Sequence, residues 1–168
     1  AVEHATPTDV LSLLDYPSYF ELMGMPLPEA RTGILHALAA DHLITNSSQD
    51  TWSICNLGAT LFARSLDQFP TLRRKAGRVI QYRGTGRLET IKEQVDTHGY
   101  ASGFRDLVAR ISDLLPSNEI MGQALRRTVQ MFPDLALREL IANALTHQDF
   151  SITGTGPTVE IFEDRIEI

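Results

Sequence analysis

The spacing of apolar and polar positions separates this chain into three stretches. The first, from about Thr8 to Phe69, is mainly helical in pattern. Thr8 or Asp9 is placed to cap a helix beginning at Val10 and Leu11, which Pro17 interrupts. Tyr16–Leu22 predicts a second short helix, stopped by Gly24 and Pro26. Pro28 suits a first helical turn, and Ile34, Leu35, Leu38 and Ala39 carry an apolar stripe through the helix that follows. His42–Thr45 leads into a polar turn, Asn46–Asp50, and Thr51–Cys55 returns as a strand. Asn56 is placed to cap a last helix through Leu57, Leu61, Phe62 and Leu66. Helix, helix, hairpin, helix is the order of a winged-helix-like module, although a helical subdomain with a hairpin has the same pattern.

The second stretch opens with a strand, Arg78–Arg83, and a turn at Gly84-Thr85-Gly86. That turn is too short for a phosphate loop and lacks its lysine. Glu89–Asp96 reads as a helix or a mixed segment. Phe104, Leu107, Val108, Ile111, Leu114 and Leu115 then recur at helical spacing up to Pro116. In the third stretch, Ala124–Gln130 fits a strand or a short helix, broken by Pro133. A strong helix follows over about 134–147, with Leu137, Leu140, Ile141, Ala144 and Leu145 as its core stripe. After the loop Thr153–Pro157, the alternation of Val159, Ile161, Ile166 and Ile168 with Glu160 and Glu167 predicts a half-buried antiparallel hairpin over about 157–168, turning at Glu163–Arg165.

Composition narrows the class. Hydrophobic residues make up 43% and charged residues 21%, ordinary proportions for a globular protein. No apolar run approaches the roughly 20 residues needed to cross a bilayer, and the first ten residues lack a signal-peptide pattern, so no membrane partner is expected. A lone cysteine, Cys55, forms no internal disulfide, which makes a cytoplasmic setting the default. The net charge of −6 argues against a wholly electrostatic nucleic-acid binder. Yet Arg64, Arg73, Arg74, Lys75, Arg78, Arg83 and Arg87 lie close in sequence, with only Asp67 among them. Either Arg73, Arg74, Lys75 and Arg78 form a basic patch for DNA, or the cations pair with acids elsewhere.

Candidate chemistry lies on the 134–147 helix. At roughly 100° per residue, Glu139, Asn143 and His147 fall within about 80° of one another, opposite the core stripe. A carboxylate and a carboxamide one turn apart can reach one oxygen-rich ligand. Magnesium takes oxygen donors and keeps several waters, so one Asn carbonyl with triphosphate oxygens suffices. A neighbouring Glu can hold and deprotonate a water. A solvated helix face needs no such role, but Asn is a poor interior helix residue because its side chain competes for backbone groups.

The segment LALRELIANALTHQDFSITGTGPTVEIFEDRIEI resembles the start of the GHKL-like ATPase domain of certain bacterial transcriptional regulators. Those proteins often carry a Schlafen-AlbA-type (divergent AAA) N-terminal domain and are frequently labelled RecG-related ATP-dependent DNA helicases. The core of the match, from Glu139 to Phe150, follows the family's E-x-x-x-N-A-x-x-H-x-D-[YF] pattern. Weaker similarity upstream resembles the segment joining the family's two domains. The resemblance implies ATP and Mg2+ as cofactors, Glu139 as general base of the N-box, Asn143 as magnesium ligand, and His147 and Asp149 beside the nucleotide.

The expected architecture is therefore α+β: a helical, winged-helix-like part over 1–70 and a partial GHKL-like α/β sandwich with an antiparallel sheet over 71–168. The family continues beyond the equivalent of Ile168 with an Asn-Pro-Gly-like turn that receives adenine, and then a lid. The chain is accordingly read as a fragment, inactive alone, of a full-length ATPase with further N- and C-terminal domains and room for a homo-oligomer. A degenerate, non-hydrolysing scaffold that binds DNA or protein is the alternative. No Walker lysine motif or helicase core supports the helicase label.

Overall fold

A computed structural model describes residues 1–48, 50–115, 117–121, 126–130, 132–152 and 154–168. Gln49 of the polar turn, Pro116, residues 124–125 of the expected 124–130 element, and Thr153 lie outside the described residues. The protein is α+β, and its chain forms two compact units.

The first unit comprises Ala1–Ala76, Thr97–Phe104 and Ile152–Thr155. Its elements are β1 (Val2–Ala5), α1 (Pro7–Leu13), α2 (Tyr16–Leu22), α3 (Arg31–Ala40), β2 (Ile44–Ser48), β3 (Thr51–Ile54) and α4 (Asn56–Phe62). The strands form an antiparallel sheet in the order β1-β3-β2, so β1 extends the expected hairpin by a strand. The cap of α1 is Thr6 rather than Thr8 or Asp9. The Thr6 side chain accepts from the Asp9 N–H at 3.2 Å, and Asp9 accepts the Thr6 N–H at 2.9 Å, closing a capping box ahead of Pro7. Pro28 does not open α3, which starts at Arg31 after Ala30.

Leu14, Leu38, Ile44, Ile54 and Phe69 are fully buried and form the centre of this unit's core. Tyr19 packs edge-on against Phe20 and Phe62 and donates to Asp41 Oδ2 at 2.7 Å. Burial first, and then that carboxylate, pushes the Tyr19 hydroxyl up to about 12.

The second unit comprises Gly77–Asp96, Arg105–Ser151 and Gly156–Ile168. It contains β4 (Gly77–Tyr82), β5 (Thr90–Asp96), most of α5 (Tyr100–Leu114), β6 (Ser117–Met121), β7 (Arg126–Gln130), α6 (Asp134–Thr146), β8 (Thr158–Ile161) and β9 (Ile166–Glu167). Its main sheet runs β5-β4-β8-β9, and β6 and β7 form a separate antiparallel pair.

Two corrections concern that main sheet. Glu89–Asp96 is a strand from Thr90 onward, in continuous register with β4 from Gly77↔Asp96 to Gln81↔Lys92. The cross-strand ladder supplies partners that a local reading of this charged segment lacks. The sheet is also mixed rather than antiparallel throughout: β4 and β8 are parallel, with Val79 opposite Val159, and they join two antiparallel pairs.

The core stripe of α6 is narrower than expected. Leu137, Ile141 and Leu145 are buried, Ala144 is half-buried, and Leu140 is 52% exposed. Four-residue spacing draws one row down a helix, and Leu140 falls off that row. Each of the three buried side chains contributes about 1.5–3 kcal/mol on an upper-bound reckoning.

Candidate functional site

The buried row of α6 fixes the rotation of the helix and so fixes what its other face presents. Glu139 and Asn143, one turn apart, are both exposed on that face. They touch: Asn143 Nδ2 donates to Glu139 Oε1 at 3.3 Å. This bond occupies the nitrogen end of the amide, so Asn143 Oδ1 is the end left for a ligand. His147 follows as the exposed C-cap, with its backbone N–H donating to the Asn143 carbonyl at 2.9 Å. Asp149 stands in the next loop, where its Oδ1 accepts from the Ser151 N–H at 2.8 Å and the Ser151 hydroxyl at 2.6 Å. Asp149 thus shapes a local turn of the kind short acidic side chains favour.

The donor set suits magnesium in one specific way. Among the described residues, no three His, Cys, Asp or Glu side chains gather where they could hold a metal ion. A site here would rest on one amide oxygen, one carboxylate and oxygens supplied by the ligand, which is how magnesium bound to phosphates is commonly held. Leu140, one turn before Asn143, and Leu135, 79% exposed, place apolar surface on the same helix. On the other side of α6, a small apolar pocket bounded by Leu107, Ile141, Leu145 and Val159 offers about 10 Å³, at the lower limit for a single water. That pocket is a packing gap.

The basic cluster is divided between the two units. In the first, Lys75 is buried at 5% exposure, and its carbonyl accepts the Tyr100 hydroxyl at 2.5 Å. Arg73 and Arg74 are exposed on a short 3-10 turn, and Arg64 lies 5.8 Å from the Tyr16 ring centre. In the second, Arg78 pairs with Glu93 at 2.7 Å, Arg83 with Glu89 at 2.8 Å, and Arg87 with Glu160 and Glu167 at 2.6 Å each. Acids thus match Arg78, Arg83 and Arg87, burial takes Lys75 off the surface, and Arg73 and Arg74 stay exposed.

One cluster lay outside the sequence expectations altogether. Phe162, 1% exposed, stacks on Tyr82 with ring centres 5.1 Å apart, and the Arg165 guanidinium sits 3.9 Å from the Phe162 centre. Glu160 accepts two bonds from Arg87, at 2.8 and 2.6 Å, and one from the Tyr82 hydroxyl at 3.0 Å. The Arg87 bond is the main reason the Glu160 carboxyl lies below its ordinary value, against the opposing pull of burial. Tyr82 is raised, chiefly by burial and next by Glu160. The only sequence signal was an aromatic ending the alternation of the last hairpin.

No protein family, no curated protein and no solved structure matches this chain. No described helix is long and apolar enough to cross a membrane.

Proposed function

We propose that the second unit carries the start of a GHKL-like site for magnesium-bound ATP, within a cytoplasmic bacterial transcriptional regulator of the Schlafen-AlbA type. The observation that carries this reading is the contact between Glu139 and Asn143 on the exposed face of α6. The E-x-x-x-N-A-x-x-H-x-D-F run to which both belong supports it, and so does the packing of the opposite helix face, which fixes the pair's direction.

Magnesium, when bound, would screen the phosphate charge and polarise the phosphoryl oxygens. In this reading Asn143 Oδ1 is the chain's ligand to the ion, and the bond to Glu139 holds that oxygen outward. Glu139 keeps a second carboxylate oxygen with which to orient a water and accept its proton. His147 and Asp149 border the nucleotide.

The test is titration of a fluorescent, non-hydrolysable ATP analogue into the full-length protein, with and without magnesium. Asn143→Ala is expected to weaken magnesium-dependent binding by at least about 10-fold. Glu139→Gln should leave binding in place and remove turnover. Unchanged affinity in Asn143→Ala sinks the proposal and leaves a scaffold that binds no nucleotide here.

A further inference from the structure

The strand β5 ends the main sheet of the second unit, so no described strand pairs with its outer backbone groups. Open edges of this kind recruit other strands, and proteins usually protect them with proline, bulges, charged side chains or very short strands. β5 has part of that protection in Lys92 and Glu93, but Glu93 is paired with Arg78 of its own sheet. The strand is seven residues long without a proline, its one register irregularity lies at the Tyr82 end, and Lys92 is its only lysine. Ile91 and Val95, which share a face by strand alternation, are 52% and 55% exposed.

We infer that β5 is the contact between two copies of this chain, paired antiparallel about a two-fold axis at Glu93. The inference is independent of the nucleotide reading. A two-fold antiparallel pair sets equivalent residues symmetrically about its centre. Full overlap of Thr90–Asp96 with its copy puts Ile91 opposite Val95 twice, Lys92 opposite Gln94 twice, and Glu93 opposite itself.

The run Ile91-Lys92-Glu93-Gln94-Val95 has nearly the same character in both directions, apolar, polar, acidic, polar, apolar. An unrelated partner strand would not require that symmetry; a second copy does. The like charges at the centre carry their own compensation. Each Glu93 is held at 2.7 Å by Arg78 of β4, so the axis is flanked by two carboxylates and two guanidiniums. A pair of seven-residue strands buries less than the about 800 Å² per partner of a tight complex, so the dimer is expected to dissociate in the micromolar range.

The full-length protein tests this by sedimentation equilibrium across a concentration series and by disulfide trapping. The expected result is a monomer–dimer equilibrium that Val95→Lys weakens by at least about 10-fold, with circular dichroism unchanged because Val95 is exposed. In a Cys55→Ser background, Glu93→Cys should form an interchain disulfide under mild oxidation. Lys92→Cys should not, since the paired register sets its two copies beyond the roughly 7 Å between Cα atoms that a disulfide spans. A monomer at every concentration overturns the inference. So does a dimer indifferent to Val95→Lys, or trapping that is equal at the two positions.

Discussion

Gly58 lies inside α4, where helix propensity and tertiary contact make opposite predictions. Replacing an interior helical glycine by alanine ordinarily gains about 0.5–1 kcal/mol. Here an alanine Cβ would run into the Leu43 carbonyl, with the carbonyl carbon 2.9 Å away. That carbonyl cannot simply withdraw. It accepts the Cys55 N–H at 3.0 Å, Leu43 is 3% exposed, and the next residue, Ile44, is fully buried and paired with Ile54. Moving it both costs the hydrogen bond, about 0.5–1.5 kcal/mol, and strains the packing by about 1–3 kcal/mol. Set against the propensity gain, Gly58→Ala should destabilise the first unit by about 1–3 kcal/mol, lowering its melting temperature by about 5–15 °C. Differential scanning calorimetry reads this transition directly. Gly86→Ala is the control, because an added Cβ there meets nothing within 4 Å. A melting temperature that is unchanged or raised in Gly58→Ala would refute the close approach of α4 to Leu43.

Two further predictions concern the Phe162 cluster. Phe162→Ala removes a ring that is 1% exposed and stacked on Tyr82, so urea denaturation should show a loss of about 3–5 kcal/mol; a loss below about 1 kcal/mol would mean the ring is not packed as described. The Glu160 carboxyl is lowered mainly by Arg87, so its contribution to stability is present above the unfolded carboxylate value, about 4.3, and disappears as pH falls through the folded value. Glu160→Gln should therefore lie below the wild type near neutral pH and converge with it in acid. Parallel stability–pH curves would show that the Arg87 bond does not set the titration.

Helices and hairpins whose own residues encode their period were legible in the sequence. The helix expected over 134–147 is Asp134–Thr146 with His147 as its cap, and the last hairpin turns where Glu163–Arg165 predicted. Elements that owe their form to distant partners were not. Thr90–Asp96 carries three charged residues, Lys92, Glu93 and Asp96, in a helix-compatible run and becomes a strand because β4 lies beside it. The parallel pairing of β4 with β8 joins residues about eighty positions apart, and no local pattern encodes it. β1 escaped notice because Val2–Ala5 is too short and polar to show alternation, and it is held by β3. Helix starts shifted for a related reason: Thr6 and Asp9 both suit a cap, and the reciprocal bonds between them settle which one serves.

Sequence spacing could put Glu139 and Asn143 on one side of a helix, but it could not say which neighbours that side would have. The structure adds two physical facts. The amide nitrogen and the carboxylate are in contact, which leaves the amide oxygen as the acceptor end for a ligand. Leu135 and Leu140 stand largely exposed on the same helix, though the sequence pattern put Leu140 in the core stripe. Isolated exposed leucines are common and carry little meaning. Beside a fixed polar pair they matter more, because binding sites combine a few oriented polar groups with apolar walls. If the face serves only to meet water, Leu140→Gln should leave nucleotide-analogue binding untouched. If it lines a binding surface, the same substitution should weaken binding while leaving stability nearly unchanged, since the side chain is already half in solvent. Calorimetric titration beside a melting curve separates the two outcomes, and loss of both affinity and stability together would place Leu140 in the fold rather than at a site.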